Sequence, residues 1–140
     1  MLVRNLKGEK TKIFDLVEYK VEINKEKNEE PVSKATVRIK VDGDEVAKTA
    51  NGDGPVNALD SALRAALTSK YPELKKLKLE DYKVRIIPEQ KGTAAKVRVL
   101  IESRAGKSRF GTVGVHENIL EASWQALVDS LAYAHLKQND

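Results

Sequence analysis

The sequence contains no cysteine, only one methionine and one tryptophan, and few aromatic residues, which make up 5% of its 140 residues. Without cysteine the chain can form neither a disulfide framework nor a Cys-based zinc site, and it has no thiol nucleophile. No apolar stretch approaches the roughly 18 residues of a membrane span, and the N-terminus lacks the apolar core of a signal peptide. These absences predict a cytoplasmic, single-domain protein without a membrane partner.

An internal repeat is the strongest pattern that the sequence does contain. Three blocks recur in the same order: 18–23, 35–41 and 57–63 reappear as 81–86, 95–101 and 118–124, at offsets of 63, 60 and 61 residues. Matched blocks in one order indicate the duplication of a unit about 60 residues long.

Each repeat has the pattern of three strands followed by a helix. In the first, apolar and polar residues alternate over 17–23 and over 35–41, which is the period of a half-buried strand. Gly43 predicts a hairpin turn, because a tight turn needs a positive φ, and a short strand over about 45–50 follows. The apolar residues of 59–67 then recur with helical spacing.

The second repeat follows the same scheme, with strands marked by 82–86, 95–101 and 108–115 and a helical stripe over 120–131. We therefore predict an α+β fold of two βββα units, 15–77 and 78–137, related by pseudo-twofold symmetry. Residues 1–14 lack periodicity and are interpreted as an N-terminal tail or linker, so that the domain comprises 15–140. A three-stranded sheet leaves open edges, which favours a symmetric partner chain and hence a dimer.

The most informative loop is 52–57, which lies between a predicted strand and a predicted helix. Its two glycines allow backbone to approach a ligand, and a helix start offers free N–H groups that suit a small carboxylate. From the spacing alone, an ordinary tight turn with helix capping is favoured over a ligand loop. Residues 111–118 occupy the same place in the second repeat.

Catalytic and metal-binding patterns are missing from the sequence. The two histidines, His116 and His135, lie far apart and have no oriented partner, so neither a general base nor a zinc site is predicted. Trp124 lies at helical spacing with apolar residues and is interpreted as core or dimer interface. We therefore predict no catalytic residues, no metal and no cofactor in this chain.

Nucleic-acid binding is another possible function, since three strands followed by a helix is also the order of the double-stranded RNA-binding domain. That module needs a lysine cluster at the start of its final helix, where this sequence has Glu117 and Glu121. The net charge is only +4, with 25 Lys+Arg against 21 Asp+Glu. Because carboxylates repel phosphates, no nucleic-acid partner is predicted.

Five segments of the sequence form a specific combination: GDGPVNAL at 52–59, LEDYKVR at 79–85, GTAAKVRV at 92–99, GTVGVHENI at 111–119 and EASW at 121–124. Over residues 14–135 the sequence that contains them resembles the C-terminal regulatory domain of the α-isopropylmalate synthase and citramalate synthase family. The second-repeat segments are most similar to the citramalate synthase branch.

The resemblance implies an allosteric regulatory domain that forms a homodimer and binds the end product of its pathway. In the citramalate synthase branch that product is isoleucine, and the intact enzyme condenses acetyl-CoA with pyruvate. In the isopropylmalate branch the effector is leucine. The catalytic barrel of the same enzyme, with its divalent metal, is absent from this chain, so no synthase activity is expected from it. A ligand-free dimerisation module remains an alternative.

The resemblance also implies an effector pocket. Its residues are Gly52, Asp53, Gly54, Pro55, Val56, Asn57, Leu79, Tyr82, Ile86, Ala94, Ala95, Val97, Glu117, Asn118 and Ile119. The helix-start N–H groups would hold the effector carboxylate, Asp53 or a loop carbonyl the ammonium, and the aliphatic residues the side chain.

Overall fold

A computed structural model describes residues 2–3, 13–88 and 95–138 of the chain. The chain divides into two compact units. The N-terminal unit is Lys12–Pro72, and the C-terminal unit combines Met1–Thr11 with Glu73–Asp140. No helix among the described residues is both long enough and apolar enough to cross a membrane.

The N-terminal unit is an antiparallel three-stranded sheet followed by a helix. Its strands are β2 (Asp15–Asn24), β3 (Val32–Val41) and β4 (Asp44–Gly52), in the order β2-β3-β4, and its helix is α1 (Pro55–Thr68). Asp42 and Gly43 both have positive φ, 51° and 85°, and they form the two-residue turn between β3 and β4. The predicted turn is confirmed, and the third strand is longer than the predicted 45–50.

The C-terminal unit repeats this arrangement with β5 (Leu77–Ile87), β6 (Lys96–Ala105), β7 (Ser108–His116) and the helix α2 (Ile119–Gln138). A 3-10 turn, Pro72–Lys76, precedes β5. A two-residue strand, β1 (Leu2–Val3), pairs in parallel with β7, so the sheet order is β1-β7-β6-β5. Neither this strand, which lies in the predicted tail, nor the 3-10 turn was predicted from the sequence.

One face of each sheet is buried beneath its helix. In β3 the fully buried residues are Ala35, Val37, Ile39 and Val41, and in β6 they are Val99 and Ile101. Each helix packs alanines and leucines at helical spacing against its sheet. The buried residues are Ala58, Leu59, Ala62, Leu63, Ala66 and Leu67 in α1, and Ala122, Ala126, Leu127 and Leu131 in α2. The small alanines let helix and sheet approach closely, and the leucines fill the space between them. The predicted duplication of a βββα unit is confirmed.

The repeat alignment drawn from the sequence is wrong in its second and third blocks. Strands β4 and β7 both have nine residues and begin 64 positions apart, as do α1 and α2. Tyr19 pairs with Val37 and Tyr82 with Ile101, so β3 and β6 are also related by 64 positions, not by 60. A strand pattern repeats every two residues, and an even shift leaves its buried face unchanged. The sequence therefore could not set the register.

Candidate effector site

The start of α1 exposes unsatisfied backbone donors. Gly54 is its N-cap residue and Pro55 occupies the first turn, and among the described residues no side chain caps this helix start. The first turn carries no acidic side chain. The first N–H groups of a helix lack intrahelical acceptors and lie at the positive end of the helix dipole. This end of the N-terminal unit therefore has the electrostatics of an anion-binding site.

The two glycines of this loop have different roles. A Cβ built on Gly52 would lie 2.4 Å from the Ala58 nitrogen, so Gly52 is needed because the first turn of α1 packs directly on the end of β4. A Cβ on Gly54 would meet nothing within 4 Å, and its φ of −152° is extended backbone that any residue adopts. Only Gly54 borders open space, whereas Gly52 packs against the backbone of the first turn of α1.

Four more predicted effector residues lie around this helix start. Asp53 and Asn57 are exposed, while Pro55 and Val56 are half-buried. Asp53 lies immediately before the N-cap residue, so the loop carries one carboxylate three residues before Val56, which has the first N–H of the helix because Pro55 has none. The structure thus brings 52–57 together as one continuous loop and helix start.

The start of α2 is capped by its own chain, in contrast to α1. Asn118 Oδ1 accepts hydrogen bonds from the backbone N–H groups of Leu120 at 2.7 Å and Glu121 at 3.2 Å. The N–H of Asn118 donates to His116 Nδ1 at 2.9 Å. Glu121 also places a carboxylate in the first turn. Two N–H groups at this helix start therefore already have an acceptor, and Glu121 already places a negative charge at the positive end of the helix dipole.

The cap makes a matched prediction possible. Asn118→Ala should lower the free energy of unfolding by about 1 kcal/mol, because the two N–H groups lose their acceptor. Asn57→Ala, at the position that the sequence alignment equated with Asn118, should change stability by less than about 0.5 kcal/mol, since Asn57 is exposed and caps nothing. Urea unfolding followed by circular dichroism measures both. Equal losses in the two variants would contradict the capping assignment.

Leu79, Tyr82 and Ile86 lie on β5 of the C-terminal unit. Tyr82 and Leu79 are half-buried, but 68% of Ile86 is exposed. The Tyr82 hydroxyl lies 3.2 Å from Ser123 Oγ, which itself donates to the Ile119 carbonyl at 2.7 Å. Because Ser123 donates its own hydroxyl hydrogen to the Ile119 carbonyl, Tyr82 donates to Ser123 and links β5 to the second turn of α2.

This hydrogen bond gives a second prediction. Tyr82→Phe should lower the free energy of unfolding by about 1 kcal/mol, because Ser123 Oγ loses a donor. In a Ser123→Ala background the same change should cost much less, since the partner is already gone. Chemical denaturation of the four proteins of this double-mutant cycle measures the coupling. A cycle with no coupling energy would show that the hydrogen bond contributes nothing.

The remaining predicted residues fall at the strand ends and helix start of the same unit. Val97 is half-buried on β6 and pairs with Ile86 of β5. Ala95, Glu117 and Ile119 are exposed, with Ile119 at 43%. Ala94 lies outside the described residues. The predicted effector residues are therefore divided between the two units, with 52–57 in one and the others in the second.

Three side chains near these residues were missed by the sequence analysis. Besides Ser123, these are Asp60 and Arg64, a half-buried i,i+4 ion pair on α1 with Arg64 Nη2 at 3.1 Å from Asp60 Oδ1. Burial raises the pKa of Asp60, and the Arg64 guanidinium opposes that rise. Arg64 Nε is buried and has no hydrogen-bond acceptor among the described residues. The sequence did contain a signal for this ion pair, namely two opposite charges four residues apart within the apolar helical stripe.

The two βββα units, with one capped and one uncapped helix start, define a duplicated α+β module. The chain belongs to the family of LeuA allosteric (dimerisation) domains, whose model matches residues 1–135. The resemblance found in the sequence is therefore confirmed, and the family supports assembly as a dimer.

Relatives from both branches of the family are similar to this chain. The chain is 55% identical to the (R)-citramalate synthase of Aquifex aeolicus over 128 residues, covering 91% of this chain and 24% of that protein. It is 48% identical to the (R)-citramalate synthase of Geobacter sulfurreducens over 134 residues, 95% of this chain and 25% of that protein. The 2-isopropylmalate synthase of Shewanella frigidimarina is 36% identical over 99 residues, 71% and 17% of the two chains.

This chain spans about a quarter of the length of these citramalate synthases. It is a regulatory and dimerisation domain of their family, as expected from the sequence. The effector residues, the absence of a metal or cofactor, the cytoplasmic location and the outer bounds 15–140 of the domain stay predictions.

Proposed function

We propose that this chain is the feedback-sensing domain of a citramalate synthase and that it binds isoleucine as a dimer. The observation that carries the proposal is the higher identity to (R)-citramalate synthases, at 42–55%, than to 2-isopropylmalate synthases, at 29–36%. The intact enzyme would condense acetyl-CoA with pyruvate in a separate catalytic barrel. The chain by itself would bind the effector and catalyse nothing.

The uncapped start of α1 supports a role in binding the effector carboxylate. A carboxylate placed there would accept hydrogen bonds from backbone N–H groups and gain from the helix dipole, and no acidic side chain of the first turn repels it. The capped start of α2 already holds a carboxamide oxygen and a glutamate. We therefore assign the carboxylate to the loop 52–57 and the ammonium to Asp53 or a loop carbonyl.

Aliphatic side chains support the recognition of a branched effector. Val56 and Val97 are half-buried, and Ile86 is 68% exposed in the single chain. We propose that these residues, with Leu79, contact the effector side chain, and that Tyr82, Ala94, Ala95, Glu117, Asn118 and Ile119 complete the lining.

The mechanism we propose is differential binding. Isoleucine would bind one arrangement of the dimer more tightly than another and shift the enzyme to its inactive state. Coupling energies of about 1–3 kcal/mol are typical of such regulation, so a few contacts suffice. Isoleucine and leucine differ only in where one methyl branches, and an apolar pocket separates such ligands by about 1–3 kcal/mol.

Titration calorimetry of the chain with isoleucine, leucine and valine tests the proposal. Isoleucine should bind most tightly and raise the melting temperature, as any ligand of the folded state does. Tighter binding of leucine would move the chain to the isopropylmalate branch. If none of the three gives heat or a thermal shift with folded dimer, the chain is a ligand-free dimerisation module and the proposal fails.

A further inference from the structure

The two sheets carry different side chains on the faces that point away from their helices. In β6, Arg98 and Leu100 alternate with the buried Val99 and Ile101 and therefore lie on this outer face. The units are equivalent at offsets of 63 positions for the first strand and 64 for the others, so each outer residue has a counterpart in the other sheet. The N-terminal sheet thus serves as an internal control for the C-terminal one.

The outer face of the N-terminal sheet neutralises its own charges. Glu22 of β2 lies directly opposite Lys34 of β3 in the ladder. Lys20 Nζ lies 3.0 Å from Glu22 Oε1. Arg38 forms ion pairs with two glutamates, at 3.5 and 3.3 Å. Opposite charges on neighbouring strands stabilise a sheet, and this face therefore has no need of an external counter-ion.

At the equivalent place in the C-terminal sheet two arginines face each other. Arg85 takes the position of Glu22 and lies directly opposite Arg98, which takes the position of Lys34. Neither arginine forms an ion pair with any residue that the structure describes, whereas Lys83 engages two carboxylates at 3.7 and 3.8 Å. Like charges in directly opposed positions destabilise a sheet. This pair therefore lacks the counter-charge that its counterpart has.

The arginine pair borders a shallow depression of about 420 Å³. Its lining consists of Lys83, Val84, Arg85, Arg98 and Leu100, and of these described residues none is acidic. Leu100 takes the place of Thr36, which in the other sheet forms a hydrogen bond to Thr49 at 2.9 Å. The depression thus combines positive charge with an aliphatic floor.

We propose that Arg85 and Arg98 form a binding site for an oxyanion with two negative charges, namely a phosphate group or a dicarboxylate. Opposed residues have Cβ atoms roughly 4.5–5.5 Å apart, so both guanidinium groups can reach one anion. Each guanidinium offers a planar fork of donors that matches two oxygens of such an anion. One dianion supplies the missing counter-charge of both arginines. The site is separate from the effector residues, so it stands or falls independently of isoleucine binding.

Calorimetric and thermal-shift titrations of the chain with inorganic phosphate, and separately with malonate, test the proposal. Sodium chloride holds the ionic strength constant, because salt screens exposed charges. We expect saturable binding and a rise in melting temperature beyond that of the chloride control. Binding of phosphate alone or of malonate alone identifies which of the two dianions the site prefers. Binding of both supports a site for dianions in general. Two titrations indistinguishable from chloride would overturn the proposal.

Variants locate the site. Arg85→Gln and Arg98→Gln should each weaken dianion binding about tenfold, as expected for the loss of a charged hydrogen-bonding partner. Lys34→Gln, the counterpart of the Arg98 variant in the other sheet, should leave binding unchanged. Arg85→Glu recreates the opposed pair of Glu22 and Lys34, so it should raise the melting temperature in dianion-free buffer and abolish the dianion effect. Unchanged affinity in both glutamine variants would refute the assignment.

Discussion

Gly114→Ala is expected to lower the free energy of unfolding by about 3 kcal/mol, the upper end of the usual cost of overpacking. A Cβ at this position of β7 would lie 1.8 Å from the Ala122 carbonyl oxygen and 2.8 Å from its carbon. Both obstructing atoms are backbone, so no side-chain rotation can relieve the overlap, and α2 must move away from the sheet. Urea unfolding monitored by circular dichroism measures the loss.

Two further glycine variants check that lack of space is the cause. Gly52→Ala should also destabilise the protein, because its Cβ would lie 2.4 Å from the Ala58 nitrogen. Gly54→Ser should not, since a Cβ there meets nothing within 4 Å and serine is a good N-cap residue. A Gly114→Ala protein as stable as the parent, or a Gly54→Ser protein as unstable as Gly52→Ala, would show that close helix packing is not what these positions require.

Gly54→Asp is expected to weaken isoleucine binding by about tenfold to a hundredfold while leaving the fold intact. The new carboxylate would accept the N–H groups at the start of α1 that we assign to the effector carboxylate, and it would repel that anion as well. Charge-assisted hydrogen bonds contribute about 1.5–3 kcal/mol, which sets the size of the loss. Calorimetry gives the affinity, and thermal unfolding should show equal or higher stability.

The matched controls separate the charge from the capping. Gly54→Ser supplies a neutral cap at the same position, so it competes for the donors without repelling the effector and should reduce affinity less than aspartate does. Asn118→Asp places the same charge at the already capped start of α2, and it should reduce isoleucine affinity less than Gly54→Asp does, because Asn118 is assigned to the pocket lining and not to the effector carboxylate. Full affinity in Gly54→Asp would place the effector carboxylate elsewhere.

Two kinds of sequence pattern were sufficient to predict the six long strands and the two α-helices. The alternation over residues 35–41 requires one face of β3 to be buried, and Gly43 requires the tight turn that follows it. Apolar residues at helical spacing likewise located α1 and α2. These patterns act through neighbours two to four positions away, so they can be read from one chain without knowing what packs where.

The candidate site was predictable only in part. The loop 52–57 was recognised from its glycines, but the family resemblance assigned both of them to the effector pocket, whereas Gly52 serves the contact between β4 and α1. The sequence alignment also equated Asn57 with Asn118, although it is Gly54 that shares the N-cap position with Asn118. Nothing local in the sequence distinguishes a glycine that faces a helix from one that faces open space.

The sequence by itself determined the duplication, the order of the six long strands and the two helices, the buried face of the central strands β3 and β6 and the family of the chain, because these follow from short-range periodicity and from motifs. Only the tertiary structure decided the register of 64 positions, the unequal capping of the two helices, the pairing of Leu2–Val3 with β7 and the opposition of Arg85 to Arg98. Each of these depends on which residues meet across strands or between helix and sheet. An even shift along a strand leaves the local pattern unchanged while it changes every such partner.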